Sequence, residues 1–282
     1  MNDKPTTASG YAPEMVEIVR GTCLYLATKL GDLMDDIVVV GGLVPSLLID
    51  QANLPDDTDP HAGTMDLDLG LTFALVSEER YTEVTTRLES AGFKPDTNKE
   101  GNKTRQRWRI NDPKVTVDFL IEPDAEDSTK KAGKLFDLSA DWAAIIAPGL
   151  HLAFTNFKTI TLDEKTIMGE RAKRDIRVCG AGAFAILKAL AFHIRGENKD
   201  AYDLYYLLRN YGRGVSDVAR EIRPFLNDPA TREAISYLQD DFSTIDSIGP
   251  KRTAEFLTGE SDEDIQADAL GFVASLLREL EG

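Results

Sequence analysis

The stretch Thr64-Met-Asp-Leu-Asp-Leu-Gly-Leu71 sets two aspartates, Asp66 and Asp68, two residues apart in an otherwise apolar run. On a β-strand, residues i and i+2 share a face. Both carboxylates therefore look one way, while Leu67 and Leu69 look the other, into a core. Like charges side by side on a largely buried strand are costly unless a cation sits between them. Hard carboxylate oxygens suit a divalent ion such as Mg²⁺. The plainer alternative is a strand end whose acids are hydrated.

Upstream, Ile37-Val-Val-Val40 is a short β-branched run followed by Gly41-Gly42 and the helix-like Leu43-Val-Pro-Ser-Leu-Leu-Ile49. A strand, two glycines and a helix with Pro45 in its first turn expose backbone N–H groups suited to phosphate. A helix is expected over 43–52, then a Pro- and Asp-rich loop from Ala52 to Gly63 in which His61 is expected to be solvated. Downstream, Val115-Thr-Val-Asp-Phe-Leu-Ile121 alternates as a strand. Val115, Val117 and Phe119 share its core face, and Asp118 points away from them. A glycine turn with three strand carboxylates is equipment for two-metal phosphoryl chemistry.

These residues resemble the nucleotidyltransferase superfamily with the DNA polymerase β type of fold. The pattern is hydrophobic-Gly-Gly/Ser, then Asp-hydrophobic-Asp-hydrophobic, then a later strand Asp. Here it falls on Val40-Gly41-Gly42, Asp66-Leu67-Asp68-Leu69 and Asp118. Lys188 and Lys199-Asp-Ala-Tyr-Asp-Leu-Tyr-Tyr206 bring the chain nearest to the AbiEii/MenT-type toxins. Two departures stand out: Gly42 replaces the serine of many relatives, and a long spacer of 23 residues separates Gly42 from Asp66. The resemblance spans roughly residues 36–210.

The resemblance implies an α+β fold, with a polymerase β-like sheet domain over 1–178 and a helical domain over 179–282. It implies a Mg²⁺-dependent enzyme, using two ions, that moves a nucleotide from an NTP to an acceptor hydroxyl. Asp66, Asp68 and Asp118 would hold the metal, with Asp118 also orienting the hydroxyl. Gly41, Gly42 and Ser46 would face the triphosphate, and Lys188 would neutralise the leaving pyrophosphate, with Arg195 seven positions on along nearly the same helix face. A lysine stem there could also simply snorkel to water. Asp203 would partner Lys188 or the hydroxyl, and Asp200 reads as a helix N-cap. The implied acceptor is an RNA 3′ end, tRNA above all, and the implied partner an antitoxin protein.

The basic strand Lys103–Ile110 adds an acceptor candidate. Lys103, Arg105, Arg107 and Arg109 alternate with Thr104, Gln106, Trp108 and Ile110, and a turn at Asn111-Asp-Pro113 leads to the Asp118 strand. One residue of slip would flip the faces. An even loop sets Arg107 opposite Asp118 and the arginines on the catalytic face, whereas an odd loop would bury them against helices. The even register is expected, with Arg105, Arg107 and Arg109 as acceptor-binding residues.

The remaining bounds are consistent with that picture. The chain has 282 residues and a net charge of −16, from 32 basic and 48 acidic residues. That sign restricts nucleic-acid contact to local patches. Half of the excess lies in 240–282, with 11 acids against 3 bases. Two cysteines suggest no disulfide framework, and no apolar run approaches a membrane span. A cytoplasmic location is expected.

Helices are expected over 12–31, from a Ser77 cap to Ala91-Gly92, over 181–194, and near 215–226, 229–240 and 262–280. Short strands are expected between Trp142 and Leu162 and over Arg174–Val178, and a charged loop over Asp124–Lys134. The acidic charge favours another reading, nucleotidylation of a small molecule or of a protein hydroxyl. A non-enzymatic nucleotide-binding module is a further alternative.

Overall fold

The computed structural model describes residues 4–56, 58–72, 78–98, 100–111, 114–122 and 132–282. The Ser77 cap, Asp112 and Pro113 of the turn, and most of the charged segment 124–134 lie outside the described residues. The chain is a mixed α/β protein that divides into two compact units. One comprises residues 13–44 and 63–179; the other comprises 4–12, 45–62 and 180–282.

The first unit is built on a mixed sheet. Its strands are β1 (Ile37–Val40), β2 (Asp66–Leu71), β3 (Lys94–Thr97), β4 (Lys103–Asn111), β5 (Lys114–Ile121), β6 (Leu135–Asp137), β7 (Ala143–Ile146), β8 (Phe157–Lys165) and β9 (Arg171–Cys179). They run in the order β3-β4-β5-β2-β1-β9-β8, with β7 beside β5 and β6 beside β7. β1 pairs antiparallel with β2 and parallel with β9, so all four residues of its Ile-Val-Val-Val run are buried. Such unbroken β-branched runs suit strands covered on both faces.

β5 lies parallel to β2 and antiparallel to the end of β4, while its last residues pair with β7. Val115, Val117, Phe119 and Ile121 are fully buried, and Trp142 stands edge-on to Phe119 at 5.2 Å. Each such apolar side chain contributes about 1.5–3 kcal/mol by leaving water. Helix α1 (Pro13–Leu30) covers the sheet with Val19, Cys23, Leu24, Leu26, Ala27 and Leu30 buried. Helix α3 (Glu78–Ser90) packs against α1, and the carbonyl of Ala91 beyond it accepts the Tyr25 hydroxyl at 3.0 Å.

The short strands expected between Trp142 and Leu162, broken at Pro148-Gly149, are present as β7 and the first part of β8. A one-turn helix, α4 (His151–Thr155), separates β7 from β8. Pro148-Gly149 ends the strand, and Glu122 accepts the N–H groups of Gly149 and His151, at 2.9 Å each. Helix α2 is shorter than expected, Val44–Leu48 after a 3-10 turn over Gly41–Leu43.

The second unit is helical, with α5 (Ala181–Arg195), α6 (Asn198–Asn210), α7 (Val215–Ile222), α8 (Pro229–Asp241), α9 (Ile248–Thr258) and α10 (Glu263–Glu281). Phe184, Leu190 and Phe192 carry the buried face of α5, which packs on α6, α7 and α8. α9 had no place among the helices expected from sequence. Its Gly249 and Pro250 both fall in the first turn, where proline is tolerated. Among the described residues no helix is long and apolar enough to cross a membrane.

Candidate active site

β2 and β5 are parallel and in register, so Asp68 pairs with Asp118 and Asp66 with Thr116. Same-face alternation along β2 and this register across the strands bring the three carboxylates together, with one ligand oxygen from each within 4.8 Å of the others. Asp66 and Asp118 are only 4% and 3% exposed, and Asp68 is half-buried. The Thr64 hydroxyl donates to Asp66 Oδ1 at 2.9 Å, fixing that carboxylate from the residue that leads into the strand.

Gly41 follows directly on β1, whose Val40 pairs with Asp68. Its φ of +70° is left-handed, and a Cβ built there would lie 1.9 Å from Asp68 Oδ2. The glycine thus serves both the turn and the close approach of the carboxylate.

Arg107 sits opposite Asp118, the even register expected from sequence. It grips the carboxylate with both arms, Nε 2.7 Å from Oδ1 and Nη2 2.5 Å from Oδ2. The bond to Asp118, with the charges of Asp118, Asp66 and Asp68, outweighs burial and holds the guanidinium firmly protonated. The oxygens of Asp66, Asp68 and Asp118 are hard donors within reach of one ion, a set that fits a divalent cation such as Mg²⁺.

The other arginines of β4 are ion-paired too: Arg105 with Asp137 at 2.9 Å and Arg109 with Asp96 at 3.4 Å. Trp108 and Ile110 on the opposite face are buried.

A second charged cluster lies in the helical unit. Lys188 on α5 does not snorkel. Its Nζ is buried, 2.9 Å from Asp200 Oδ1 and 2.6 Å from Asp203 Oδ2, both on α6. Lys199 Nζ adds a bond to Asp203 Oδ1 at 2.6 Å, and Arg195 reaches Asp200 Oδ1 at 2.8 Å. Burial raises the Asp200 carboxyl, but Lys188 and Arg195 outweigh it and hold its pKa at about 2. Asp203 is held well below the ordinary carboxylate range, burial being outweighed by Lys188, Lys199 and His61. Burial also opposes the charge on Lys188, yet Asp200 and Asp203 raise its pKa above the usual value.

Two sequence expectations are corrected here. Asp200 is not an N-cap: Glu197 occupies that position, and Asp200 instead serves as the partner of Lys188 and Arg195. His61 is not solvated. It is 5% exposed, with Nε2 2.9 Å from Asp203 Oδ1 and Nδ1 3.3 Å from the Ser46 hydroxyl. It stacks on Tyr202 and meets Tyr206 edge-on. Burial lowers its pKa to about 4, against the hydrogen bond it makes to Asp203. Nothing beside His61 in the sequence marks burial, because the groups that bury it lie on α6, some 142 residues away. Tyr202, Tyr205 and Tyr206 are core residues.

The expected site residues thus divide. Gly41, Gly42, Asp66, Asp68, Asp118 and the β4 arginines belong to the first unit, whereas Ser46, Lys188, Arg195 and Asp203 belong to the second.

A family model described as "Nucleotidyl transferase AbiEii toxin, Type IV TA system" matches residues 61–282. The match takes in all three strand aspartates and the charged cluster on α5 and α6, and it begins after the Gly41-Gly42 turn. No curated protein matches the chain.

Proposed function

The chain belongs to the AbiEii family of nucleotidyltransferase toxins of type IV toxin–antitoxin systems, and on that premise we propose that it transfers a nucleotidyl group from an NTP to the 3′ hydroxyl of an RNA, tRNA above all. In this reading the sheet unit is a polymerase β-like nucleotidyltransferase domain, the helices form a second domain, and an antitoxin protein silences the enzyme in the cytoplasm.

The observation that carries the proposal is the convergence of Asp66, Asp68 and Asp118 within 4.8 Å on register-matched strands. These residues would hold Mg²⁺, two ions with the nucleotide in place. When bound, the metal supplies charge neutralisation and polarisation at the reacting phosphate.

The chain's own groups do the rest. The backbone N–H groups of Gly41 and Gly42 would bind the triphosphate, as glycine turns do for anions. Asp118, its plane fixed by Arg107, would orient the attacking hydroxyl. The hydroxyl oxygen would bond to the α-phosphorus as its proton passes to the Asp118 carboxylate. The bond from that phosphorus to the β-phosphate bridging oxygen breaks, and pyrophosphate leaves. Lys188, with Arg195 near it, would balance the charge that builds on the leaving group, a task that calls for fixed cations. Asp203 would hold Lys188 in place.

Two observations favour a second acceptor class. Arg105, Arg107 and Arg109 each have an aspartate partner, and the chain carries a charge of −16. Both features suit a small-molecule or protein hydroxyl better than a polyanion. Incubating the protein with each α-labelled NTP, Mg²⁺, total RNA and a cell extract separates the classes. Label on tRNA supports the proposal, label only on protein or a small molecule supports the second class, and no label on any acceptor defeats both.

A further inference from the structure

The charged cluster of the helical unit holds a histidine for which the transfer reaction has so far supplied no task. We propose that His61 is a positioning residue: a neutral imidazole that locks the Asp203 carboxylate and, through it, the ammonium of Lys188. The assignment rests on the transfer reaction proposed above, in which Lys188 meets the leaving pyrophosphate.

Asp203 is ionised and can only accept hydrogen bonds, so the proton that bridges it to His61 resides on His61 Nε2. With Nε2 as donor in a neutral ring, Nδ1 is an acceptor, and the Ser46 hydroxyl donates to it across 3.3 Å. Asp203 Oδ1 therefore receives His61 and Lys199, and Oδ2 faces Lys188 at 2.6 Å. Two hydrogen bonds at Oδ1 and an ion pair at Oδ2 hold the one carboxylate between His61, Lys199 and Lys188.

The imidazole is itself held rigidly. Gln51 Oε1 accepts the His61 backbone N–H at 2.8 Å and the Tyr206 hydroxyl at 3.1 Å, while Tyr202 accepts the N–H of Ala62 at 2.9 Å. Tyr206 and Tyr202 of α6 thus hold Gln51 and the backbone at His61–Ala62, which presents the histidine to Asp203.

The neutral state matters. Lys188 and Lys199 already place two ammonium groups at Asp203. An imidazolium would add a third cation and compete for the carboxylate, whereas a neutral ring adds a donor without charge. Burial and the two lysines keep the ring neutral, its pKa lowered to about 4.

Without His61, Asp203 Oδ1 keeps only Lys199 as donor, and of the two carboxylates that hold Lys188, Asp203 is free to turn while Asp200 stays in place. A small displacement of a catalytic cation can cost on the order of a hundredfold in rate. His61→Phe, which keeps the ring volume and removes the donor, is expected to lower kcat by about that factor. His61→Gln, whose amide N–H can reach Asp203, is expected to recover most of it, although both variants lose the link from Ser46. Melting temperatures identify a folding effect: a merely structural role predicts that rate falls with stability and that Gln rescues neither.

Equal kcat in His61→Phe and wild type overturns the assignment, and so does a Gln variant no better than Phe at equal stability. If the wild-type protein labels no acceptor, the proposed reaction has failed. His61 is then judged by long-range ¹H–¹⁵N spectra of the full chain. A neutral Nε2–H ring from pH 8 to 5, perturbed by Asp203→Asn, supports the assignment; an Nδ1–H or charged ring overturns it.

Discussion

Gly41→Ala offers a test whose size follows from the geometry. The new side chain must adopt φ near +70°, and its Cβ would lie 1.9, 2.7 and 2.8 Å from Oδ2, Cγ and Cβ of Asp68. The backbone conformation alone costs about 1–2 kcal/mol for an L-residue. Because the clash reaches as far as Asp68 Cβ, rotating the carboxylate does not relieve it, and β1 must shift against β2. Overpacking of this kind costs about 1–3 kcal/mol more. Gly169→Ala isolates the first contribution, since Gly169 has φ +81° and nothing within 4 Å of a built Cβ.

Denaturant unfolding should therefore show a loss of about 1–2 kcal/mol for Gly169→Ala and about 2–5 kcal/mol for Gly41→Ala. In an Asp68→Gly background the excess at Gly41 should vanish, which a double-mutant cycle reads as coupling. Gly41→Ala should also weaken Mn²⁺ binding, because Asp68 has moved, while Gly169→Ala should not. Equal stability losses in the two single variants, additivity in the cycle and unaltered Mn²⁺ affinity would refute the reasoning.

Other outcomes can be set beside it. Arg107→Ala should destabilise by about 2–5 kcal/mol, because it strips a largely buried carboxylate of its bidentate partner; a melting curve identical to wild type would contradict this. Lys188→Ala should do more than slow transfer: leaving Asp200 and Asp203 buried without it should cost about 3–5 kcal/mol, and Lys188→Met should restore little. The protonation of His61 should make stability pH-dependent. With its pKa lowered to about 4, the folded state binds fewer protons than the unfolded state between roughly pH 6.5 and 4. Stability should fall as pH drops through that window, by up to about 3 kcal/mol, and His61→Gln should flatten the slope. Asp200, held at about 2, acts in a lower window: its contribution is intact above about pH 4 and is lost as pH falls toward 2.

The parts of the fold legible in the sequence are those governed by local periodicity. The alternation of β2 and β5 fixed which side chains share a face, and a two-residue gap between the paired Asn111 and Lys114 was enough to bring Arg107 opposite Asp118. What the alternation does not carry is the partner of each exposed-looking charge. Arg105 and Arg109 read as a free basic row, but Asp137 and Asp96 arrive from separate segments. The same holds for His61, whose loop is rich in proline and aspartate and whose neighbours in space come from α6. Lys188 was visible as a cation on an apolar helix face, yet its burial depends on two carboxylates from the following helix.

The central claim is that Asp66, Asp68 and Asp118 act together on a nucleotide. The most direct test compares wild type with Asp68→Asn under identical labelled NTP, Mg²⁺ and total RNA, with circular dichroism and melting recorded for each. The expected result is label transferred by the wild-type chain and none by the variant, which remains folded because losing one of three neighbouring negative charges relieves repulsion. Transfer by Asp68→Asn at the wild-type rate, or collapse of its fold, would contradict the account.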